Sequence, residues 1–142
     1  MEKASLNKVL KVNNQIDELT RIASFLDETG EEWGLSMTLV TSLNLVLEEA
    51  LTNIILYGFD EGSKHTIEID LKKNVNNLLI TIIDDGHRYD PTLKANPDIT
   101  LSVDERPVGG LGIFLIKKIM DKVEYERRGD RNLLILTKNT GE

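Results

Sequence analysis

GGLGIFLIKKIMD, residues 109–121, begins with three glycines in four positions and continues as an apolar run that is typical of a helix. Glycine destabilises a helix by about 1 kcal/mol relative to alanine, so its repetition at a helix start needs an explanation. One explanation is an anion site, because a helix N-terminus presents unpaired N–H groups and glycines let a phosphate approach them closely. The other is a flexible loop end, and this segment alone does not distinguish the two.

The size and charge of the chain restrict the classes of protein to which it can belong. Its 142 residues are enough for one domain with a hydrophobic core. The net charge of −7 argues against a nucleic-acid-binding protein that relies on an overall positive field. The lack of cysteine excludes disulfides and thiolate metal sites, and two histidines disfavour a histidine-rich metal site. No signal peptide is predicted and no segment is expected to approach a transmembrane span, so a cytoplasmic protein without a membrane partner is expected.

The apolar pattern predicts a single domain over residues 1–142 with the order β-α-α-β-β-loop-α-β-β. Asn13 and Asn14 are candidate caps for a first helix that ends near residue 31, and Ser36 is the candidate cap of a second helix that ends near residue 57. Strands are predicted at 6–12, 65–73, 77–85, 123–128 and 132–138. Hairpin-connected strands with helices on one face are typical of an α+β two-layer sandwich. Residues 86–109 form the one long loop, and such loops are usually functional lids or disordered segments.

Glu49 and Asn53 lie one turn apart in the second predicted helix, on the shoulder of its apolar face. Glu48 lies in the opposite, solvated stripe and is assigned no chemistry. Polar shoulder residues commonly do no more than bring a helix edge into water. The alternative is a carboxylate that accepts a proton, beside an amide oxygen that binds Mg²⁺. The pair alone favours the first interpretation.

Two aspartates and a glycine, Asp84, Asp85 and Gly86, follow the apolar run LLITII. Such a sequence commonly begins a turn. Asp84 follows the strand most directly, so its carboxylate could also accept a hydrogen bond from a ligand amine at the mouth of a pocket. The motif is a weak signal when it is taken alone.

Together, these patterns resemble the Bergerat-fold (GHKL) ATPases, which have ExxxN on a helix, DxG at a strand end and GGxGxxL at the start of a later helix. The segments EEALTNIILYGF, IDDGHRYDP and RPVGGLGIFLIKKIMDKVEY are similar to the small anti-sigma factor serine kinases of bacteria. The similarity extends over about residues 43–138. It implies a two-layer α+β sandwich, with a mixed but mostly antiparallel sheet, helices on one face and an ATP lid at about 86–109.

The resemblance implies roles for the residues of the first two motifs. Glu49 matches the general base that activates the attacking hydroxyl, and Asn53 matches the ligand of Mg²⁺. Asp84 matches the acceptor for the adenine amine of ATP, and Gly86 matches the glycine that keeps the floor of the pocket open.

The resemblance also implies that residues of the third motif and of the last strand belong to the nucleotide site. Gly110 and Gly112 match glycines that contact the phosphates of ATP. The family usually has a threonine beside the adenine near the start of the last strand, where this sequence offers Asn132 or Thr137. Arg106 in the expected lid could reach a phosphate, although an arginine before a proline on a loop is more often solvated.

The implied function is that of a cytoplasmic anti-sigma factor with serine/threonine protein kinase activity that depends on ATP and Mg²⁺. The implied partners are a sigma factor, a STAS-domain anti-sigma factor antagonist as the phosphorylated substrate, and a second copy of the chain in a homodimer. One alternative is a non-catalytic module that binds ATP and sequesters its partner. A histidine kinase catalytic domain fits less well, because no histidine-bearing dimerisation hairpin is predicted. An ATPase that acts on water is a further alternative.

Overall fold

The computed structural model describes residues 6–93 and 110–140. Its strands are β1 (Leu6–Asn13), β2 (Thr66–Lys73), β3 (Asn77–Asp84), β4 (Lys122–Arg128) and β5 (Arg131–Asn139). Its helices are α1 (Leu19–Trp33), α2 (Met37–Tyr57) and α3 (Gly110–Ile119), with short 3-10 turns at Ile16–Glu18 and Pro91–Leu93. The predicted order of elements is therefore confirmed for the described ranges. Most of the expected lid, residues 94–109 with Arg106, lies outside them.

The strands form one sheet with the spatial order β1-β2-β3-β5-β4, in which every neighbouring pair is antiparallel. The expectation of a mostly antiparallel sheet is confirmed, and no parallel pair occurs among the described strands. The pairing of β3 with β5 sets Asp84 opposite Asn132 at one end of the sheet. This register brings the strand-end aspartate against the last strand of the chain.

The hydrophobic core lies between one face of the sheet and the helices. Alternate residues of the central strands are fully buried, among them Ile69, Ile80 and Leu136. From α2, Leu43, Leu47 and Leu51 are completely buried in the same core. Each such side chain contributes about 1.5–3 kcal/mol by leaving water. The residues between them on the strands stay half-exposed or exposed, so the expectation of helices on one face is confirmed.

Helix α2 is long and apolar enough to cross a membrane, by length and composition only. The expectation that no segment approaches such a span was therefore wrong. The same composition is explained by the core, because one side of α2 packs into it while Glu48 on the other side is exposed.

The start of α1 differs from the sequence-based expectation. Ser36 caps α2 as predicted, since its hydroxyl accepts a hydrogen bond from Leu39 N at 3.1 Å. Asn14 caps no helix, because its amide donates to Ser63 O at 3.0 Å and accepts from His65 N at 2.9 Å. These two bonds connect the end of β1 to the segment before β2. Asn13 is the last residue of β1, so the cap prediction was wrong for both asparagines.

Glu18, in the turn before α1, provides a test of this junction. Its carboxylate accepts from Asn13 N at 2.7 Å and from Arg21 Nη1, and these bonds, the backbone bond first, lower the pKa of Glu18 from its ordinary value of 4.5. A lowered pKa stabilises the fold well above pH 4.5, and this stabilisation is lost as the pH falls through the native pKa. Glu18→Gln should therefore lower the free energy of unfolding by about 1 kcal/mol at neutral pH. Urea denaturation at neutral and acidic pH should show this difference disappear in acid.

Candidate functional site

The polar pair of α2 lies directly against the first turn of α3. A Cβ atom added to Gly112 would stand 3.0 Å from Glu49 Oε2 and 3.3 Å from Asn53 Nδ2. Any side chain at position 112 would therefore press on both polar groups. The glycine lets the backbone of α3 come close to them, and its helix begins at Gly110 as predicted. The structure thus brings together the first and third of the sequence motifs.

Glu49 and Asn53 are both half-buried, and neither has a hydrogen-bond partner among residues 6–93 and 110–140. Their polar atoms are not sealed from solvent. Nearby, the first turn of α3 carries backbone N–H groups that have no partner within the helix. A proton acceptor, a side-chain amide and an anion-attracting helix end are therefore adjacent. This arrangement can hold a phosphate together with a small cation, and it can take a proton from a hydroxyl.

Asp84 is the last residue of β3 and is only 5% exposed. Its Oδ1 accepts hydrogen bonds from Gly86 N at 2.8 Å and from Asn132 Nδ2 at 3.0 Å. Its Oδ2 has no partner within the described ranges. The carboxylate is held by one oxygen, and the other remains available as an acceptor. Asp85 is exposed and contacts His65 Nδ1 at 2.9 Å, so it does not belong to this arrangement.

Gly86 follows in a turn that packs against the end of α2. An added Cβ at this position would lie 2.3 Å from the carbonyl oxygen of Gly58, a distance that no real side chain tolerates. The next residue, His87, donates its N–H to the same carbonyl at 2.7 Å. Any other residue would force this turn away from the end of α2, because the obstacle is backbone and not the tip of a flexible side chain.

Asn132 of β5 is 6% exposed and contacts Asp84 directly. Thr137, the other candidate for the family threonine, is paired with Leu79 on the opposite face of the sheet. Asn132 therefore has the position beside the strand-end aspartate. Two residues of β4 that were not predicted as site residues, Tyr125 and Arg127, both donate to Asn132 Oδ1. The sequence indicated the hairpin of β4 and β5, but not the register that sets Arg127 opposite Asn132.

Four of the polar residues described above, Asn53, Asp84, Tyr125 and Asn132, line a cavity of about 40 Å³ between α2, α3 and the sheet. Its floor is polar, and its walls are mostly apolar, with Ala50, Ile54, Ile113, Ile116 and Leu134. Tyr89 and Pro91 also line it. A larger cleft of about 680 Å³, lined by Lys11, Lys64 and Arg131, also reaches Asp84 but includes no residue of α3, and Glu49 lines neither space. The smaller cavity is the better candidate, because apolar walls with a buried carboxylate suit a flat base.

Comparison with known proteins shows the family to which the chain belongs. The family profile described as the histidine kinase-like ATPase domain matches residues 12–138. The chain is 33% identical over 99 residues to the serine/threonine-protein kinase BtrW of Bordetella bronchiseptica, with 70% of each chain covered.

Two further relatives cover more of the chain. The anti-sigma F factor of Clostridium beijerinckii is 24% identical over 140 residues, which are 96% of this chain and 93% of that protein. The serine-protein kinase RsbW of Bacillus subtilis is 24% identical over 123 residues, which are 82% and 76% of the two chains. Since the family profile spans most of the sequence and the described residues form its α+β fold, the chain belongs to the histidine kinase-like ATPase family and is related to its anti-sigma factors and serine-protein kinases.

Proposed function

We propose that this protein is an ATP- and Mg²⁺-dependent serine/threonine protein kinase that also binds a sigma factor as an anti-sigma factor. The main support for the proposed kinase activity is the close approach of Gly112 to Glu49 and Asn53. It joins a proton acceptor, a cation ligand and a helix N-terminus in one place, which is what phosphoryl transfer requires. The names of the kinase and anti-sigma factor relatives support the same function.

The nucleotide would be held by residues from all three motifs. The 6-amino group of adenine would donate to Asp84 Oδ2, beside the turn that Gly86 keeps narrow. The phosphates would lie at the first turn of α3, where Gly110 and Gly112 leave the backbone N–H groups accessible.

Asn53 suits a ligand of Mg²⁺, because its amide oxygen has no competing partner within the described residues. Mg²⁺ commonly takes one or two protein ligands and completes its shell with water and substrate phosphates. No cluster of three or more histidine, aspartate or glutamate side chains that could hold a metal occurs in residues 6–93 and 110–140. The bound ion would neutralise charge on the phosphoryl group that is transferred.

Glu49 would act as the general base. Its carboxylate would take the proton from a serine hydroxyl of a STAS-domain antagonist, as the serine oxygen bonds to the γ-phosphorus and the bond from that phosphorus to the β–γ bridging oxygen breaks. The products are phosphoserine and ADP. Because Glu49 has no competing partner among the described residues, its oxygens are available for this proton.

Nucleotide binding would require the cavity to open. A volume of about 40 Å³ corresponds to about one water molecule, whereas ligand pockets commonly measure about 300–1,000 Å³. Tyr89 and Pro91 line the cavity, and the turn that follows is held to α3 by a hydrogen bond from Lys117 Nζ to Thr92 O at 3.1 Å. We therefore expect residues 87–93 to move outward when a base enters.

The proposed partners are a sigma factor, the STAS-domain antagonist and a second copy of the chain. The sigma factor is suggested by relatives that are named anti-sigma F factor. The homodimer and the cytoplasmic location are proposed from the resemblance to the family. No direct contact with nucleic acid or with a membrane is proposed. The net charge of −7 is compatible with a basic surface on the sigma factor.

Phosphate transfer measured by mass spectrometry tests the proposed function. The protein is mixed with Mg-ATP and each STAS-domain protein encoded in the same genome, with EDTA in a parallel reaction. We expect a single phosphoserine or phosphothreonine on one of these proteins, and none with EDTA. No transfer to any of them, with ATP still bound, would contradict the kinase and favour the alternative of a non-catalytic, partner-sequestering module.

Asn53→Ala should raise the Mg²⁺ concentration needed for half-maximal transfer by about tenfold or more, because the side-chain ligand is lost while waters remain to replace it. A magnesium titration of the transfer rate measures this shift. Asn44→Ala is the matched control, since Asn44 is half-buried on another side of the same helix. An unchanged magnesium requirement in Asn53→Ala would remove Asn53 as the ligand.

A further inference from the structure

Asn132 is saturated by hydrogen bonds to the protein. Its Nδ2 donates to Asp84 Oδ1 at 3.0 Å and to His87 O at 2.9 Å. Its Oδ1 accepts from Tyr125 OH and from Arg127 Nη1, the latter at 3.1 Å. A side-chain amide has two N–H donors and one oxygen with two lone pairs, so all of its capacity is used. Asn132 therefore has no strong group left with which to bind a base.

The orientation of this amide is dictated by its neighbours. Arg127 can only donate, and the carbonyl oxygen of His87 can only accept. A flipped Asn132 would set its NH₂ against the guanidinium and its oxygen against both His87 O and the Asp84 carboxylate. Arg127 and Tyr125 thus hold the amide with its donors toward the aspartate.

Arg127 also connects the hairpin of β4 and β5 to the strand-end turn. Its Nη1 donates to Gly86 O at 3.0 Å, and its Nε donates to Gly129 O at 3.1 Å. Arg128, the next residue, extends to the opposite side and pairs with Glu126 at 2.7 Å. Two adjacent arginines therefore differ in whether they contact this turn.

We propose that Tyr125 and Arg127 are positioning residues that impose adenine specificity, by fixing the amide of Asn132 and through it the carboxylate of Asp84. Asp84 Oδ1 is occupied by two donors, so only Oδ2 faces a base. It accepts a 6-amino group and repels a 6-oxo group. If Asn132 were free to flip, Asp84 could rotate and this discrimination would weaken. The inference rests on the proposed function, because it concerns the same nucleotide site.

Equilibrium binding of ATP and of inosine triphosphate, which has a 6-oxo group in place of the 6-amino group and a proton on N1, tests the inference. Tyr125→Phe and Arg127→Lys each remove part of the contact to Asn132 while they keep most of the side-chain volume. We expect each to reduce the ratio of the two dissociation constants about threefold to fivefold, and Arg127→Ala to reduce it by about tenfold or more. Arg128→Ala, the matched control, should leave the ratio unchanged. The maximal rate of transfer by Arg128→Ala at saturating ATP should also stay near that of the wild type.

If these side chains had a purely structural role, their substitution would weaken the binding of both nucleotides equally and leave the ratio of the two dissociation constants unchanged. That result would overturn the inference. Equal binding of the two nucleotides by the wild type would overturn it as well. If Arg127→Ala fails to fold, Tyr125→Phe and Arg127→Lys carry the same comparison. Failure of the proposed function is a different result, in which the wild type binds neither nucleotide or binds ATP without phosphate transfer.

Discussion

Glu49→Gln is expected to lower the rate of phosphoryl transfer by about 10²–10⁴-fold, while the affinity for ATP stays near that of the wild type. Glutamine has nearly the same shape as glutamate, so the close contact with Gly112 is kept. Its amide cannot take the proton of the attacking hydroxyl. Glu49 has no hydrogen-bond partner among the described residues, so the substitution breaks no structural network. The transfer rate and the dissociation constant of ATP, measured on the same preparation, separate chemistry from binding.

The adjacent Glu48 offers a matched control for this experiment. Glu48 is exposed, and Glu48→Gln removes the same charge from the same turn of α2. We expect the control to keep its activity, which would exclude a general effect of lost negative charge. Full activity in Glu49→Gln would remove Glu49 from the mechanism, and loss of ATP binding in that variant would indicate a structural role instead.

The predictable part of the fold was the part in which local pattern and tertiary packing agree. Apolar residues alternate along β2 and form an almost continuous run in β3, and the structure buries one face of each strand. Ser36 caps α2 because its partner, Leu39 N, lies three residues away on the same segment. Asn14 has equally good cap chemistry, but it binds Ser63 and His65, which are about fifty residues distant. Local sequence could not indicate that competition.

In the candidate site, too, some features were visible in the sequence and others depend on tertiary packing. The spacing of Glu49 and Asn53 on one helix was visible in the sequence, but their contact with Gly112 depends on how α2 and α3 pack. The choice between Asn132 and Thr137 stayed open, because it depends on the pairing of β3 with β5, which sets Asn132 opposite Asp84. Arg127 was not identified, because its role depends on the register that pairs it with Asn132 across the hairpin.

The turn at Gly86 has no space for a side chain beside the end of α2. Gly86→Ala should lower the free energy of unfolding by about 2–3 kcal/mol and weaken ATP binding by about tenfold or more. The new methyl group would lie 2.3 Å from Gly58 O and 3.0 Å from Asp84 Oδ1. Relief requires the turn to move away from the end of α2, which breaks the bond from His87 N to Gly58 O and displaces the Asp84 carboxylate. Thermal denaturation and calorimetric titration with ATP measure the two effects.

Gly129→Ala separates local damage at the pocket from a general loss of stability. Gly129 has φ of 65°, and no heavy atom lies within 4 Å of an added Cβ. Alanine there costs about 1–2 kcal/mol through its backbone conformation alone. We expect this variant to be destabilised to a comparable degree and still to bind ATP like the wild type. If Gly86→Ala also bound ATP normally, the contact between residues 86 and 58 would not shape the nucleotide pocket, and Asp84 would tolerate displacement of its turn. If both variants lost affinity for ATP in proportion to their loss of stability, ATP binding would depend on the overall stability of the fold and not on the absence of a side chain at Gly86.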